Sequence, residues 1–230
     1  MQADDDRTIR YLTFDCYGTL IDWRKGIETN FKKFFLEDKE QIAGLHIFRR
    51  YVALEANEEE AYKAYEDVLR DTSLRLAKNL GVDSSESAAE KFAKSITHWP
   101  AFDDTAPTLK KLGRLGYKRV ILSNIDRNLL AGTIRNNHLE VDDFITAQDV
   151  KSYKPAKTHW ISFLRASKVR RDELLHVANS VYHDIIPANE LGLKTVWVNR
   201  YREPPPKKVS PSYVVDKLSG LFEILGTKQV

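Results

Sequence analysis

An apolar run, Tyr11-Leu12-Thr13-Phe14, stops at a carboxylate, Asp15, and continues as Cys16-Tyr17-Gly18-Thr19-Leu20. The run reads as a buried strand. Asp15 then stands at a strand's carboxyl end, the edge where open α/β sheets bind ligands because the loops leaving parallel strands form a crevice there. Gly18 allows a sharp turn and leaves backbone N–H groups able to point back at Asp15. An isolated Asp-x-x-Gly is an ordinary strand-ending turn. Its weight therefore depends on what else falls at strand ends.

From residue 105 onward, helix and strand alternate. A helical stretch to Leu115 ends at Gly116 and gives way to Arg119-Val120-Ile121-Leu122, a buried strand leading into Ser123-Asn124. Further strands read at Phe144-Ile145-Thr146, at Leu174-Leu175-His176-Val177-Ala178 before Asn179-Ser180, and at Lys194-Thr195-Val196-Trp197-Val198. Helices are expected from Ile125 to Arg135 and from Thr158 to Ser167. Repeated alternation implies right-handed crossovers and a parallel three-layered sheet. The prolines between Arg202 and Pro211 mark a loop before a short edge strand, Tyr213-Val214-Val215, and a closing helix.

Residues 21–102 break this rhythm. They lack β-alternation and carry apolar residues at helical spacing, such as Ile27, Phe31, Phe34 and Phe35, then Tyr65, Val68, Leu69 and Leu76. Gly81 interrupts the run, and Asp83 or Ser84 is available to cap the next helix. The predicted architecture is an α/β, doubly wound, Rossmann-like parallel-sheet core, residues 1–20 and 103–230, with a helical cap, residues 21–102, inserted after the first strand.

Charge and cysteine content exclude several classes. Lysine plus arginine number 36 against 33 aspartate plus glutamate, so no strong field recruits nucleic acid. No apolar stretch reaches the roughly 18 residues of a membrane span. The single cysteine, Cys16, cannot form an internal disulfide, and the acidic N-terminus lacks the apolar core of a secretory signal. Cytoplasmic residence is the expectation. The partner expected is a small molecule, not nucleic acid or membrane, with a homodimer left open. His176 and His183 lack a third ligand at metal spacing, which argues against zinc.

The stretch around Asp15 resembles the first signature of the haloacid dehalogenase superfamily, Asp-x-[Asp/Tyr]-Gly-Thr. Candidates for the three later signatures follow in order: Ser123-Asn124, Lys154-Pro155, and Asn179-Ser180 with Asp184. The resemblance implies that Asp15 is a nucleophile forming a covalent acyl intermediate. It also implies that Lys154 neutralises the carboxylates, and that Ser123 hydrogen-bonds the substrate. Superfamily phosphatases carry an acid where this chain has Tyr17 and a magnesium-binding aspartate where it has Asn179. An alkoxide needs a proton to leave and a halide does not, so Tyr17 suits carbon–halogen cleavage. Replacing aspartate by asparagine removes charge that magnesium needs. No metal and no cofactor are expected.

Both departures point to a resemblance with the L-2-haloacid dehalogenase branch. On that reading Asp15, Lys154, Asp184 and Ser180 are catalytic, Asp184 and Lys154 activating the water. Tyr17, Gly18, Thr19, Ser123, Asn124, Asn179 and a cap arginine, Arg50 or its neighbour Arg49, bind substrate. The carboxylate would lie on Ser123 and the amides near Tyr17 and Gly18, and the halide on Asn124 and the arginine. The branch commonly reads Ser-Ser-Asn ahead of the last aspartate, where this chain has Asn179-Ser180-Val181-Tyr182-His183. The alternatives are a phosphatase of a small phosphorylated metabolite and a catalytically weak binding or regulatory protein of the same fold.

Overall fold

The computed structural model describes residues 9–36, 42–58, 61–207 and 209–226. The acidic start of the chain, residues 1–6, lies outside them. Six strands, β1 (Tyr11–Phe14), β2 (Lys118–Ser123), β3 (Asp143–Thr146), β4 (Leu174–Ala178), β5 (Lys194–Val198) and β6 (Tyr213–Val215), form one sheet in the order β3-β2-β1-β4-β5-β6. Every pairing is parallel. β1 lies in the middle, with Tyr11 opposite Lys118 on one side and Leu174 on the other. β2 and β3 extend from one side of β1 and β4 to β6 from the other, so the winding reverses between β1 and β4. The crevice of a doubly wound sheet opens there.

The helices are α1 (Trp23–Phe31), α2 (Gly44–Glu58), α3 (Tyr65–Leu80), α4 (Glu86–Ser95), α5 (Thr105–Arg114), α6 (Arg127–Asn136), α7 (Ala147–Val150), α8 (Thr158–Ser167), α9 (Ile186–Glu190) and α10 (Leu221–Ile224). Alternate residues of each strand face opposite sides of the sheet. Val120 and Leu122 pack with Trp160 and Phe163 of α8, whereas Ile121 joins Leu109 and Leu112 of α5. Helices thus cover both faces, and the central strands read as apolar runs because neither face meets water.

Two boundaries differ from the sequence reading. The cap of α4 is Ser85, whose side chain accepts the Ala88 N–H at 3.1 Å, one residue beyond the expected position. α6 begins at Arg127, not Ile125: Asp126 is extended, and Ile125 is fully buried as part of the loop leaving β2.

α1 to α4 lie between β1 and β2 in sequence and pack around an aromatic cluster. Phe31 stacks on Phe35 with centroids 4.7 Å apart, and Phe92 meets Phe31, Phe35 and Trp99 edge-on. Gly26 of α1 lies flat on Trp99, where a Cβ would come within 2.3 Å of the indole. The chain enters and leaves this helical segment through one stem. Ile21 bridges Ala101, Asp22 N–H donates to Pro100 O at 2.8 Å, and Phe102 N–H donates to Leu20 O at 3.0 Å. Arg200 holds the stem, donating to Thr19 O and Asp104 Oδ1.

Candidate active site

Asp15 is fixed by its own N–H, which donates to Val177 O of β4 at 3.1 Å. The turn after it closes tightly: Gly18 takes φ +94°, and three N–H groups, Thr19 to Ile21, donate to Cys16 O. Gly18 N–H donates to Ile21 O at 2.8 Å. The expected Gly18 amide for a substrate carboxylate is therefore spent inside the turn, although Gly18 still lines the cavity.

Lys154 is almost completely buried, and its ammonium has three acceptors: Asp15 Oδ1 at 2.8 Å, Asp184 Oδ1 at 2.7 Å and Leu122 O at 3.0 Å. An ammonium has three protons, so these acceptors satisfy it. Burial opposes the Lys154 charge, but the two carboxylates outweigh it and raise its pKa. Burial likewise opposes the charge of Asp184, yet Lys154 and His176 hold it down to about 2. Asp15 moves the other way, pushed up by burial and by the Asp184 charge against the pull of Lys154.

Thr19 links the first and last signatures. Its hydroxyl donates to Asp15 Oδ2 at 2.7 Å and accepts Asn179 N–H at 2.8 Å. Both Asp15 oxygens therefore have a donor in the resting site. Asn179 donates through Nδ2 to Val198 O, and its own carbonyl accepts the Trp197 indole N–H. Ser180 caps the one-turn helix Val181–Ile185 that carries Asp184, accepting His183 N–H at 3.1 Å.

Tyr17 faces the cavity with its ring while its hydroxyl meets Thr133 Oγ1 at 2.7 Å. Burial raises its pKa well above the ordinary phenol value, so it supplies no acid in place of a carboxyl. Ser123 lines the cavity beside it. The Asn124 side chain is engaged with the backbone: its Oδ1 accepts Lys154 N–H at 2.7 Å and its Nδ2 donates to Lys154 O at 3.0 Å. Its amide clamps the Lys154 backbone with Oδ1 and one Nδ2 proton, while Asn124 still lines the cavity.

The expected cap arginine lies elsewhere. Arg49 and Arg50 are exposed, and Arg50 donates to Asn79 O at the end of α3. The reason is helical phase. Phe48, Val52, Glu55 and Ala56 of α2 line the cavity at spacings of four, seven and eight residues, which is one helix face. Arg49 and Arg50, one and two residues after Phe48, point off that face.

The cavity is about 450 Å³ and lies between the sheet edge and the helical segment. Trp23, Phe48, Val52 and Tyr65 give it an apolar wall opposite the strand ends. Two side chains take part in ways the sequence did not assign: His176, weighed only as a metal ligand, and Glu55. His176 is fully buried between Thr13 Oγ1, 2.9 Å from Nδ1, and Asp184 Oδ1, 3.1 Å from Nε2. An ionised carboxylate only accepts, so Nε2 carries the proton and Nδ1 accepts from Thr13. Glu55, 6 % exposed, accepts the Tyr65 hydroxyl at 2.6 Å, and burial pushes its carboxyl up to about 7. Its signal was a carboxylate completing the buried stripe Ile47, Tyr51, Glu55.

Among the described residues no three carboxylate, histidine or cysteine side chains converge to hold a metal. Asp15 and Asp184 share one buried ammonium, and Asn179 brings no charge. This donor set does not fit a divalent cation.

The family model of haloacid dehalogenase-like hydrolases matches residues 9–192. The chain belongs to that family of hydrolases. It is 27 % identical over 225 residues to (S)-2-haloacid dehalogenase 4A of Burkholderia cepacia, 95 % of each chain being covered. It is 25 % identical to (S)-2-haloacid dehalogenase 1 of a Pseudomonas strain, over 94 % of this chain and 96 % of the other. The L-2-haloacid dehalogenase of Xanthobacter autotrophicus shares its fold with a TM-score of 0.84 at 20 % identity, covering 96 % of this chain and all of that one. Among the described residues, no helix is long and apolar enough to cross a membrane.

Proposed function

We propose that this hydrolase is a dehalogenase of short 2-haloacids that works through an ester on Asp15. The observation that carries the reading is Lys154 joined to both Asp15 and Asp184, with Tyr17 in place of an acid. An oxygen of Asp15 attacks the carbon next to the substrate carboxylate, the carbon–halogen bond breaks, and halide departs with the bonding pair. Displacement from the far side inverts that carbon.

Water then attacks the Asp15 carbonyl carbon, giving up a proton to Asp184. Asp184 Oδ1 is held by Lys154 and His176, while Oδ2 is buried with no protein partner, so an unpartnered carboxylate oxygen is left to take that proton. The acyl–oxygen bond breaks, the 2-hydroxyacid leaves, and Asp15 keeps one oxygen from water. The net reaction consumes one water and releases halide and one proton. Ser123 is the side chain we assign to the substrate carboxylate, and Thr19 holds Asp15 in register. Residues 21–102 act as the cap and residues 1–20 with 103–230 as the core, the divisions falling on the stem at Ile21 and Ala101.

Single turnover of 2-chloropropionate in ¹⁸O-water, followed by mass spectrometry of the Asp15 peptide, tests the step. Label entering Asp15 before it appears in product is expected, with halide release persisting in excess EDTA. Label entering lactate directly, or phosphate release from esters outpacing halide release, refutes the reading.

A further inference from the structure

The helical wall of the cavity offers no positive charge among the described residues, and it does offer a carboxyl. Among the described residues, Lys154 is the only lysine or arginine lining the cavity, and its three protons are committed to Asp15, Asp184 and Leu122. Glu55 faces the same space from α2, flanked by Val52 and Ala56 and joined to Tyr65 of α3. Most buried carboxyls are paired with a cation. Here the neighbours are two tyrosines, Tyr65 and, one helical turn earlier, Tyr51.

Size supports the same conclusion. A cavity of about 450 Å³ falls in the range that holds ligands larger than a three-carbon acid. With the carboxylate and reacting carbon held at Ser123 and Asp15, a longer substrate extends toward α2. A second anion there would meet Glu55 with no cation to offset it, whereas a donor group would gain a buried acceptor.

We infer that Glu55 selects the substrate, accepting a hydrogen bond from a hydroxyl or ammonium group carried on the chain of the 2-haloacid beyond the reacting carbon. The inference deepens the dehalogenase reading and rests on it for the haloacid part alone. The binding part stands without it. Because the carboxyl ionises close to neutral pH, it can answer either group: an ammonium draws out its charged form, and a hydroxyl pairs with either form.

The test begins with unreactive acids. Trp23 lines the cavity, so its fluorescence reports binding of butyrate, 4-hydroxybutyrate and 4-aminobutyrate to the intact protein. At least one of the two substituted acids should bind about tenfold more tightly than butyrate. Glu55→Leu should bring all three to the same affinity. Glu55→Gln, nearly isosteric and therefore the safer variant for folding, should keep a hydroxyl preference and lose an ammonium preference. Turnover is read in parallel, as kcat/KM for 2-chlorobutyrate against 2-chloro-4-hydroxybutyrate and 2-chloro-4-aminobutyrate.

Equal binding of all three acids by the unaltered protein, or a preference that survives Glu55→Leu, overturns the inference. Halide release from every chloroacid with no preference, lowered equally by Glu55→Leu, overturns it while leaving the dehalogenase reading intact. No halide from any chloroacid, with the binding preference present and lost in Glu55→Leu, upholds Glu55 and refutes the dehalogenase reading.

Discussion

Replacing Lys154 with methionine removes the ammonium that stands 2.8 Å from Asp15 and 2.7 Å from Asp184, while keeping a chain of similar length. Breaking a buried ion pair by removing one partner costs about 3–5 kcal/mol, because a charge is left uncompensated. The pH dependence makes the prediction specific. Asp184, held at about 2 instead of its ordinary 3.8, contributes roughly 2–3 kcal/mol that is present above pH 3.8 and lost as pH falls through 2. In Lys154→Met Asp15, already raised, rises further and Asp184 moves above its ordinary value, since burial and mutual repulsion are then opposed only by the Thr19 and His176 contacts. The folded variant binds an extra proton, so its stability falls as pH rises. Urea melts of the two proteins should therefore diverge between pH 5 and pH 8, with the larger gap at pH 8. Turnover at pH 7 should drop by about 10²- to 10⁴-fold, the same 3–5 kcal/mol being lost from the transition state at 1.36 kcal/mol per factor of ten. Lys154→Met/Asp184→Asn should regain much of the stability and none of the activity. A stability gap that stays constant across this pH range would refute the argument that Lys154 keeps two buried carboxylates ionised together.

Glu55 makes the opposite thermodynamic contribution to Asp184. Its carboxyl sits at about 7 against an ordinary 4.5, so stability is fully present below 4.5 and roughly 3 kcal/mol is lost as pH rises through 7; Glu55→Gln should flatten that loss in melts from pH 4.5 to 8. Thr19→Val removes the donor to Asp15 and the acceptor for Asn179 N–H, and should cost about 1–3 kcal/mol in denaturant melts and lower kcat more than it changes KM. Gly26→Ala places a methyl against Trp99 and should cost about 1–3 kcal/mol by thermal melt with little change in the pH profile of turnover.

The sheet was legible because each strand is an apolar run ending at a polar residue, and its winding follows from crossover handedness. The convergence of Asp15, Lys154 and Asp184 was legible because each lies past the carboxyl end of a strand, Asp15 directly after β1, Lys154 beyond β3 and α7, and Asp184 in the helical turn after β4. What the sequence concealed depends on helical phase and on partners distant in the chain. Arg50 is one of several cationic residues in a helical stretch, and only the rotation of α2 shows that it points outward while Glu55 points in. Asn124 stood at a substrate-binding position, yet its amide is used 30 residues away on Lys154. His176 was set aside because no third metal ligand accompanied it. Its use is to hold Asp184, a contact that needs the strand and the following turn already built.

The first strand made is the middle strand of the sheet, and this has a consequence for synthesis. β1 leaves the ribosome long before either neighbour, since its partners begin at Lys118 and Leu174. At ordinary elongation rates the second of these follows roughly 10–30 s later. Leu12 and Phe14, fully buried in the finished protein, belong to a strand with two open edges until β2 is made and with one open edge until β4 follows. The helical segment is complete in the meantime and makes its contacts locally, so it can collapse first and carry β1 as an unpaired tail. A nascent chain stalled before Leu174 therefore presents a sticky apolar strand beside a folded helical body, which is the species a chaperone or an aggregating neighbour would meet.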